Sequence, residues 1–276
     1  MTDGQNMTIP VKKITMPKIM GIVNVTPDSF SDGGQFLDSA AAFRHGLELI
    51  EQGADVLDIG GESTRPGADD VSIEDELARV MPVIEKLAAI SAVPISIDTR
   101  KPQVARRAME AGATIWNDVT ALEYSADSIE VAAALNCDVI LMHAQGGPKT
   151  MQDKPDYGDV VSEVFSYLAG RLEACLDNGI AREKIMVDPG IGFGKTLEHN
   201  LALMAHLGRF SEIGPVLLGA SRKRFIGALG EAPDRAAGSL AAAIAGAANG
   251  ANMVRVHDVG ATRQAFRVFQ AIQNAR

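Results

Sequence analysis

The stretch IMGIVNVTPDSFSDGG, residues 19–34, changes character at Asn24. Its first part, IMGIVN, is a continuous apolar run, the pattern of a strand buried on both faces. Its second part is polar and ends in two glycines. A rigid element therefore runs straight into a loop that either turns the chain or delivers polar groups to a site. The same change recurs in DVLDIG (55–60), VPISID (93–98), TIWND (114–118), DVILMH (138–143), KIMVDP (184–189), PVLLGA (215–220) and NMVRVH (252–257). None of the eight runs alternates strictly, which points to a parallel sheet covered on both sides.

The segments between the runs read as helices. Residues 38–53 open on Asp38 or Ser39 as a cap and stop at Gly53. Residues 72–90 open on Ser72, with Asp75 at the capping-box position, and Pro82 is expected to kink that helix. Residues 101–113 carry Pro102 in the first turn and Gly112 at the stop. Residues 125–135, 159–178, 197–208, 234–249 and 259–274 complete the set. Eight strands alternating with eight helices predict a single-domain (β/α)8 barrel over residues 18–276, preceded by an arm at 1–17. An open doubly wound sheet is the alternative, and the number of units favours closure. The loops at about 25–37, 61–71 and 144–157 are long for βα connections, a length usual in functional loops.

The 276 residues carry a net charge of −9, so the chain has no general attraction for nucleic acid or an anionic membrane. Any anion it binds must be held by a local cluster. The two cysteines, Cys137 and Cys175, have no metal-site spacing and read as free thiols in a reducing compartment. The N-terminal residues lack the apolar segment of a signal peptide, and AAGSLAAAIAGAANGA (236–251) is too short to span a bilayer. A cytoplasmic enzyme is expected.

Barrel enzymes work at the C-terminal strand ends. Asn24, Glu62 to Arg65, Asp98 to Arg100, Asn117 and Asp118, His143, Asp188, Ser221 to Lys223, and Arg255 to His257 all fall there. Capping explains a few of these, such as Thr99, but not so many at once. The groups sort by charge. Asp98, Asp188 and Asn117 come from the third, sixth and fourth strands and suit a ligand rich in N–H donors, because a carboxylate pairs bidentately with a guanidine-like edge. The aminopyrimidinone edge of a pterin has that pattern. Lys223, Arg255 and His257, with Arg65, suit an anion near the usual phosphate site of such barrels. Ser221 adds a hydroxyl and a turn amide.

DPGIGFGKT (188–196) looks like a phosphate-binding P-loop but has Pro189 where the first glycine belongs. Its glycines are read instead as letting backbone approach a flat ligand, with Phe193 offering a ring face. His45, His199 and His206 read as surface groups, and Trp116, Met20 and Met186 as core. Met142 reads equally as core or as lining for a ligand ring. No nucleophile elbow and no zinc spacing is present.

GIVNVTPDSFSDGG, DIGGESTRPG, SIDTRKP, WNDVTA, LMH, DPGIGFGK, GASRKRFIG and VRVHDV together resemble the dihydropteroate synthase family from about residue 18 to 274. The resemblance implies an enzyme that joins 6-hydroxymethyl-7,8-dihydropterin diphosphate to para-aminobenzoate, releasing diphosphate, in folate biosynthesis. It also implies Mg²⁺ as cofactor, a homodimer, and a target for sulfonamides. It makes Asn24 the metal ligand, with Asp32 approaching the metal as the first loop closes. Asp98, Asn117 and Asp188 would read the pterin edge, with Met142 on the ring and Lys223 reaching both substrates. Thr64 and Arg65 would contact substrate and phosphate, and Arg255 and His257 the diphosphate, near Ser221. Phe30, Pro66, Phe193 and the Ser221 backbone would form the aminobenzoate pocket. TPDSFSDGG then becomes a lid, with Gly33 and Gly34 as its hinge. The competing readings are a pterin-binding methyltransferase barrel, which needs no diphosphate cradle, and a non-catalytic paralogue, which would have lost Asn24, Lys223 or Arg255.

Overall fold

The computed structural model describes residues 14–26, 34–63, 67–146, 155–230 and 233–275, with side chains in the first helix from Ser39 onward. Eight parallel strands form the barrel: β1 (Lys18–Asn24), β2 (Val56–Gly60), β3 (Ile95–Asp98), β4 (Ile115–Asp118), β5 (Asp138–Met142), β6 (Ile185–Asp188), β7 (Leu217–Leu218) and β8 (Met253–Val256). Neighbours pair in the order β6-β5-β4-β3-β2-β1-β8-β7. The seam between β6 and β7 is closed by a single bridge, Val187 to Val216, with the Val187 N–H donating to Pro215 O at 2.9 Å. β7 is far shorter than the six residues expected for it, while the other strands fall where the apolar runs place them. Of the N-terminal arm, residues 1–13 lie outside the described residues.

Nine helices are found among the described residues: α1 (Gly34–Glu51), α2 (Ile73–Ile90), α3 (Pro102–Glu110), α4 (Ser128–Leu135), α5 (Val160–Asp177), α6 (Leu197–Ala205), α7 (Arg224–Gly230), α8 (Ala236–Ala248) and α9 (Val259–Asn274). The short α7 was not anticipated. α1 begins at Gly34, ahead of the cap expected at Asp38 or Ser39, so Gly34 belongs to a helix and not to a loop hinge. α2 runs from Ile73 to Ile90 as one element with Pro82 inside it. The hydroxyl of Ser72 accepts from the Asp75 N–H at 3.0 Å, satisfying one of the first-turn donors. His199, expected at the surface, completes a capping box with Thr196 at the start of α6.

Alternate residues of each strand serve two separate cores. Ile19, Leu57, Ile97, Trp116, Val139, Leu141, Val187 and Val254 pack outward against the helices in one large apolar cluster. Met20, Val56, Ile115, Ile140, Leu217 and Met253, with Met186, fill the lumen as a second, smaller one. The cores part because successive side chains of a strand point to opposite faces.

Candidate active site

Beyond several members of the lumen cluster, toward the C-terminal strand ends, the same face turns polar. Met20 leads to Asn24 by way of Ile22, Val56 to Asp58, Ile115 to Asn117, Met186 to Asp188, and Met253 to Arg255 and His257. The register supports one rim: Asn24 lies opposite Gly60, Gly60 opposite Asp98, Asp98 opposite Asn117, and Met142 opposite Asp188. Gly60 sits against Asp98, where a Cβ would stand in ordinary contact, 3.4 Å from that of Asp98. Met142 is buried yet belongs to neither apolar cluster, which places it at the top of the lumen.

The centre of the rim is a charged clasp. Arg255 donates from Nε to Asp58 at 2.5 Å and from Nη2 to Asp98 at 2.6 Å. Asn117 Nδ2 approaches the two oxygens of Asp58 at 3.4 and 3.3 Å. Asp98 Oδ1 is buried with no hydrogen-bond partner among the described residues. Burial lifts the Asp98 carboxyl above the ordinary range; Arg255 opposes the shift and the charge of Asp58 adds to it. Burial also raises Asp188, against the pull of the Gly190 N–H at 2.7 Å and of Lys223, Lys195 and Arg255. The acid and cation sides read from the sequence thus meet, with Arg255 reaching across to the carboxylates.

Two other pairs flank the clasp. Lys223 Nζ lies 4.0 Å from the centre of the Phe193 ring, a cation over an aromatic face. Ser221 Oγ lies 3.0 Å from His257 Nδ1 and accepts from the His257 backbone N–H at 3.3 Å. Arg222, between Ser221 and Lys223, pairs with Asp258 at 2.6 Å.

Lys195, beside the rim, and Asp58, beneath it, are residues of the site that sequence reasoning passed over. Lys195 is 3% exposed and donates to His143 Nδ1 at 2.9 Å, His143 O at 3.3 Å and Phe193 O at 2.9 Å. Burial brings its ammonium down to about 7, with Asp188 resisting and Lys223 assisting. His143 falls to about 3 through burial and the neighbouring Lys195, so its ring stays neutral and its Nδ1 accepts. The glycines of 188–196 have a packing reason as well. Gly190 is at φ +68°, and a Cβ on it would meet the His143 carbonyl oxygen at 1.9 Å. A Cβ on Gly194 would meet Gln145 O at 2.6 Å. They let this turn lie on the end of β5.

Glu62 and Arg100 form a cluster behind the rim. Glu62 accepts from the Val71 N–H at 2.9 Å and pairs with Arg100 at 3.1 Å and Lys101 at 3.1 Å. Arg100 also holds Asp70, and Lys101 holds Glu76. Asp118 accepts from the N–H groups of Thr120 and Leu122 and shapes the turn after β4. The proposed ligands Phe30, Asp32, Thr64, Arg65 and Pro66 lie outside the described residues.

A closed parallel barrel with carboxylates, an amide and cations facing one lumen mouth defines a class: a single-domain (β/α)8-barrel enzyme. The family model for pterin binding enzymes matches residues 20–257. A dihydropteroate synthase of Neisseria meningitidis serogroup B is 52% identical over 265 residues, 93% of each chain. The structure of Xanthomonas albilineans dihydropteroate synthase with 4-aminobenzoic acid superposes with TM-score 0.88 at 52% identity, covering 94% of this chain and 93% of that one. The same enzyme in complex with 7,8-dihydropteroate gives 0.85 at 48% identity, covering 94% of each chain. The chain belongs to the dihydropteroate synthase family, transferases that join a dihydropterin diphosphate to para-aminobenzoate.

Proposed function

We propose that this chain condenses 6-hydroxymethyl-7,8-dihydropterin diphosphate with para-aminobenzoate by departure before attack. The observation that carries the reading is the clasp: Asp98 Oδ1 is buried with no partner among the described residues, beside the Arg255 guanidinium on its other oxygen. A buried acceptor without a donor is costly, so the site is built to be completed by a ligand N–H.

The bond from the pterin methylene to the bridging diphosphate oxygen breaks, and its electron pair leaves with the diphosphate. The positive charge on the methylene spreads into the pterin ring, where Asp98 and Asp188 stabilise it in a largely dry site. Asn117 completes the recognised edge and Met142 packs on the ring. Arg255 and His257 hold the departing diphosphate, and the Ser221 hydroxyl fixes the His257 ring. Lys223, seated on Phe193, faces the second substrate. The arylamine lone pair then forms the C–N bond, and the nitrogen releases its proton to solvent or to diphosphate.

Among the described residues no three His, Cys, Asp or Glu side chains gather as a metal cage. Mg²⁺ takes hard oxygen ligands, keeps several waters and leans on substrate phosphates, so the amide oxygen of Asn24 at the end of β1 fits as one of its ligands. Mg²⁺ bound there would neutralise the leaving group as a Lewis acid. A cytosolic homodimer, and inhibition by sulfonamides competing for the arylamine site, belong to the same reading. The exposed Val268 and Ile272, one turn apart on α9, offer an apolar strip for subunit contact. The decisive test is a titration of dihydropterin diphosphate with and without Mg²⁺, followed by arylamine addition. Diphosphate release dependent on both supports the reading; release without Mg²⁺ removes the ion from it.

A further inference from the structure

Asp58 is the one member of the clasp with no exposed surface at all. It lies on β2 below the rim, too deep to meet a ligand at the mouth. A buried carboxylate without a partner would shed its charge, and the partner here is Arg255 Nε at 2.5 Å. The guanidinium is a rigid planar fork, so fixing Nε fixes the direction of its outer nitrogens. One of them stands on Asp98, nearer the mouth. The two arms differ in surroundings: the Asp58 end is fully dry, while Asp98 is 9% exposed. Both arms are buried, but Asp58 lies deeper, so the arm on Asp98 is the one a ligand at the mouth can reach.

We propose that Asp58 is a positioning residue: it pins Arg255 by Nε, so that a pterin taking Asp98 releases the outer edge of the guanidinium to the anion beside it. This inference rests on the reading of Asp98 and Asn117 as pterin partners. The same carboxylate faces Asn117 Nδ2, so Asp58 orients one group from each half of the site. Occupancy of the pterin pocket and readiness of the cation become a single event. In the free enzyme Arg255 covers Asp98 Oδ2 while Oδ1 has no partner among the described residues, so a ligand edge that takes both oxygens completes Oδ1 and competes with Arg255 at Oδ2.

The variant Asp58→Asn keeps the shape and removes the charge. Arg255 is then held by Asp98 alone and competes harder with the pterin. The Michaelis constant for dihydropterin diphosphate should rise about ten- to a hundredfold, the loss expected for one charged hydrogen bond. That for para-aminobenzoate should stay within about twofold, because Lys223 and Phe193 are untouched. Lower melting temperature with both constants unchanged would make Asp58 a plain structural ion pair and overturn the proposal. Should the variant not fold, the wild-type enzyme labelled with [¹⁵N]arginine decides. The Arg255 Nε–H signal, assigned by its loss in Arg255→Lys, should stay slow to exchange when 6-hydroxymethylpterin is added, while the outer nitrogens shift. Pterin binding with loss of the Nε–H signal overturns the role of Asp58 alone. Failure of the wild-type enzyme to bind any pterin overturns that role together with the pterin reading.

Discussion

On β8 the side chains of Val254 and Val256 pack against the helices, while Met253, Arg255 and His257 alternate with them along the lumen face. On β2 Leu57 and Asp58 are adjacent in sequence and both fully buried, yet one belongs to the outer core and the other to the clasp. Burial alone therefore says little about what a residue does here. The helix side is mainly apolar, with Asp118 at the end of the β4 row as an exception. The lumen side is apolar at its floor and turns polar toward the C-terminal ends of most strands, so stability and chemistry are carried largely by opposite faces of the same strands.

Leu57→Ala presses this contrast hardest. Truncating a fully buried leucine should cost about 2–5 kcal/mol in denaturant unfolding, with both Michaelis constants of the folded fraction unchanged. Altered substrate affinity would show that the two faces are not independent. Asp188→Asn is its counterpart on the lumen side. It should lower turnover by about 10²–10³, by analogy with the loss of an oxyanion-hole donor, while leaving the unfolding midpoint close to that of the parent. Near-normal turnover would remove Asp188 from the pterin site.

Lys195 tests the boundary between the faces, and its effect is read through pH. Its folded value of about 7 lies below the ordinary lysine value. Between pH 7 and about 10 the unfolded chain therefore binds more protons than the folded one, and this residue makes stability rise with pH. Lys195→Met should abolish that contribution. The stability difference between the parent and the variant should grow with pH by at most about 1.4 kcal/mol per unit, the limit for one proton. A difference independent of pH would mean that the ammonium keeps its proton throughout. The smallest effect is expected of Met142→Ala, a severalfold weaker affinity for the pterin with the arylamine constant unmoved, because a thioether on a ring face contributes about 0.3–1.5 kcal/mol. A loss of stability equal to that of Leu57→Ala would return Met142 to the core.

The barrel was legible because strands buried on both faces must be apolar at every position, and eight such runs leave few other closures. The rim was legible because Asn24, Asp98, Asn117, Asp188 and His257 end those runs. Asp58 escaped notice by standing inside one: in VLDIG it passes for a strand residue, although a carboxylate in a doubly covered strand demands a partner. Lys195 was hidden by the likeness of its segment to a phosphate loop. The packing of Gly190 onto His143 joins two elements far apart in sequence, which no local pattern reports. α7 was missed because seven residues hold too little periodicity to distinguish a helix from a turn.

The sulfur- and branched-chain plug formed by Met20, Val56, Ile115, Ile140, Leu217 and Met253 has a last consequence. On the proposed path a methylene cation would be quenched by water, and this floor is buried and apolar. Among the described residues the polar lining stands at the C-terminal strand ends, so on that path protecting the intermediate from water falls to that end.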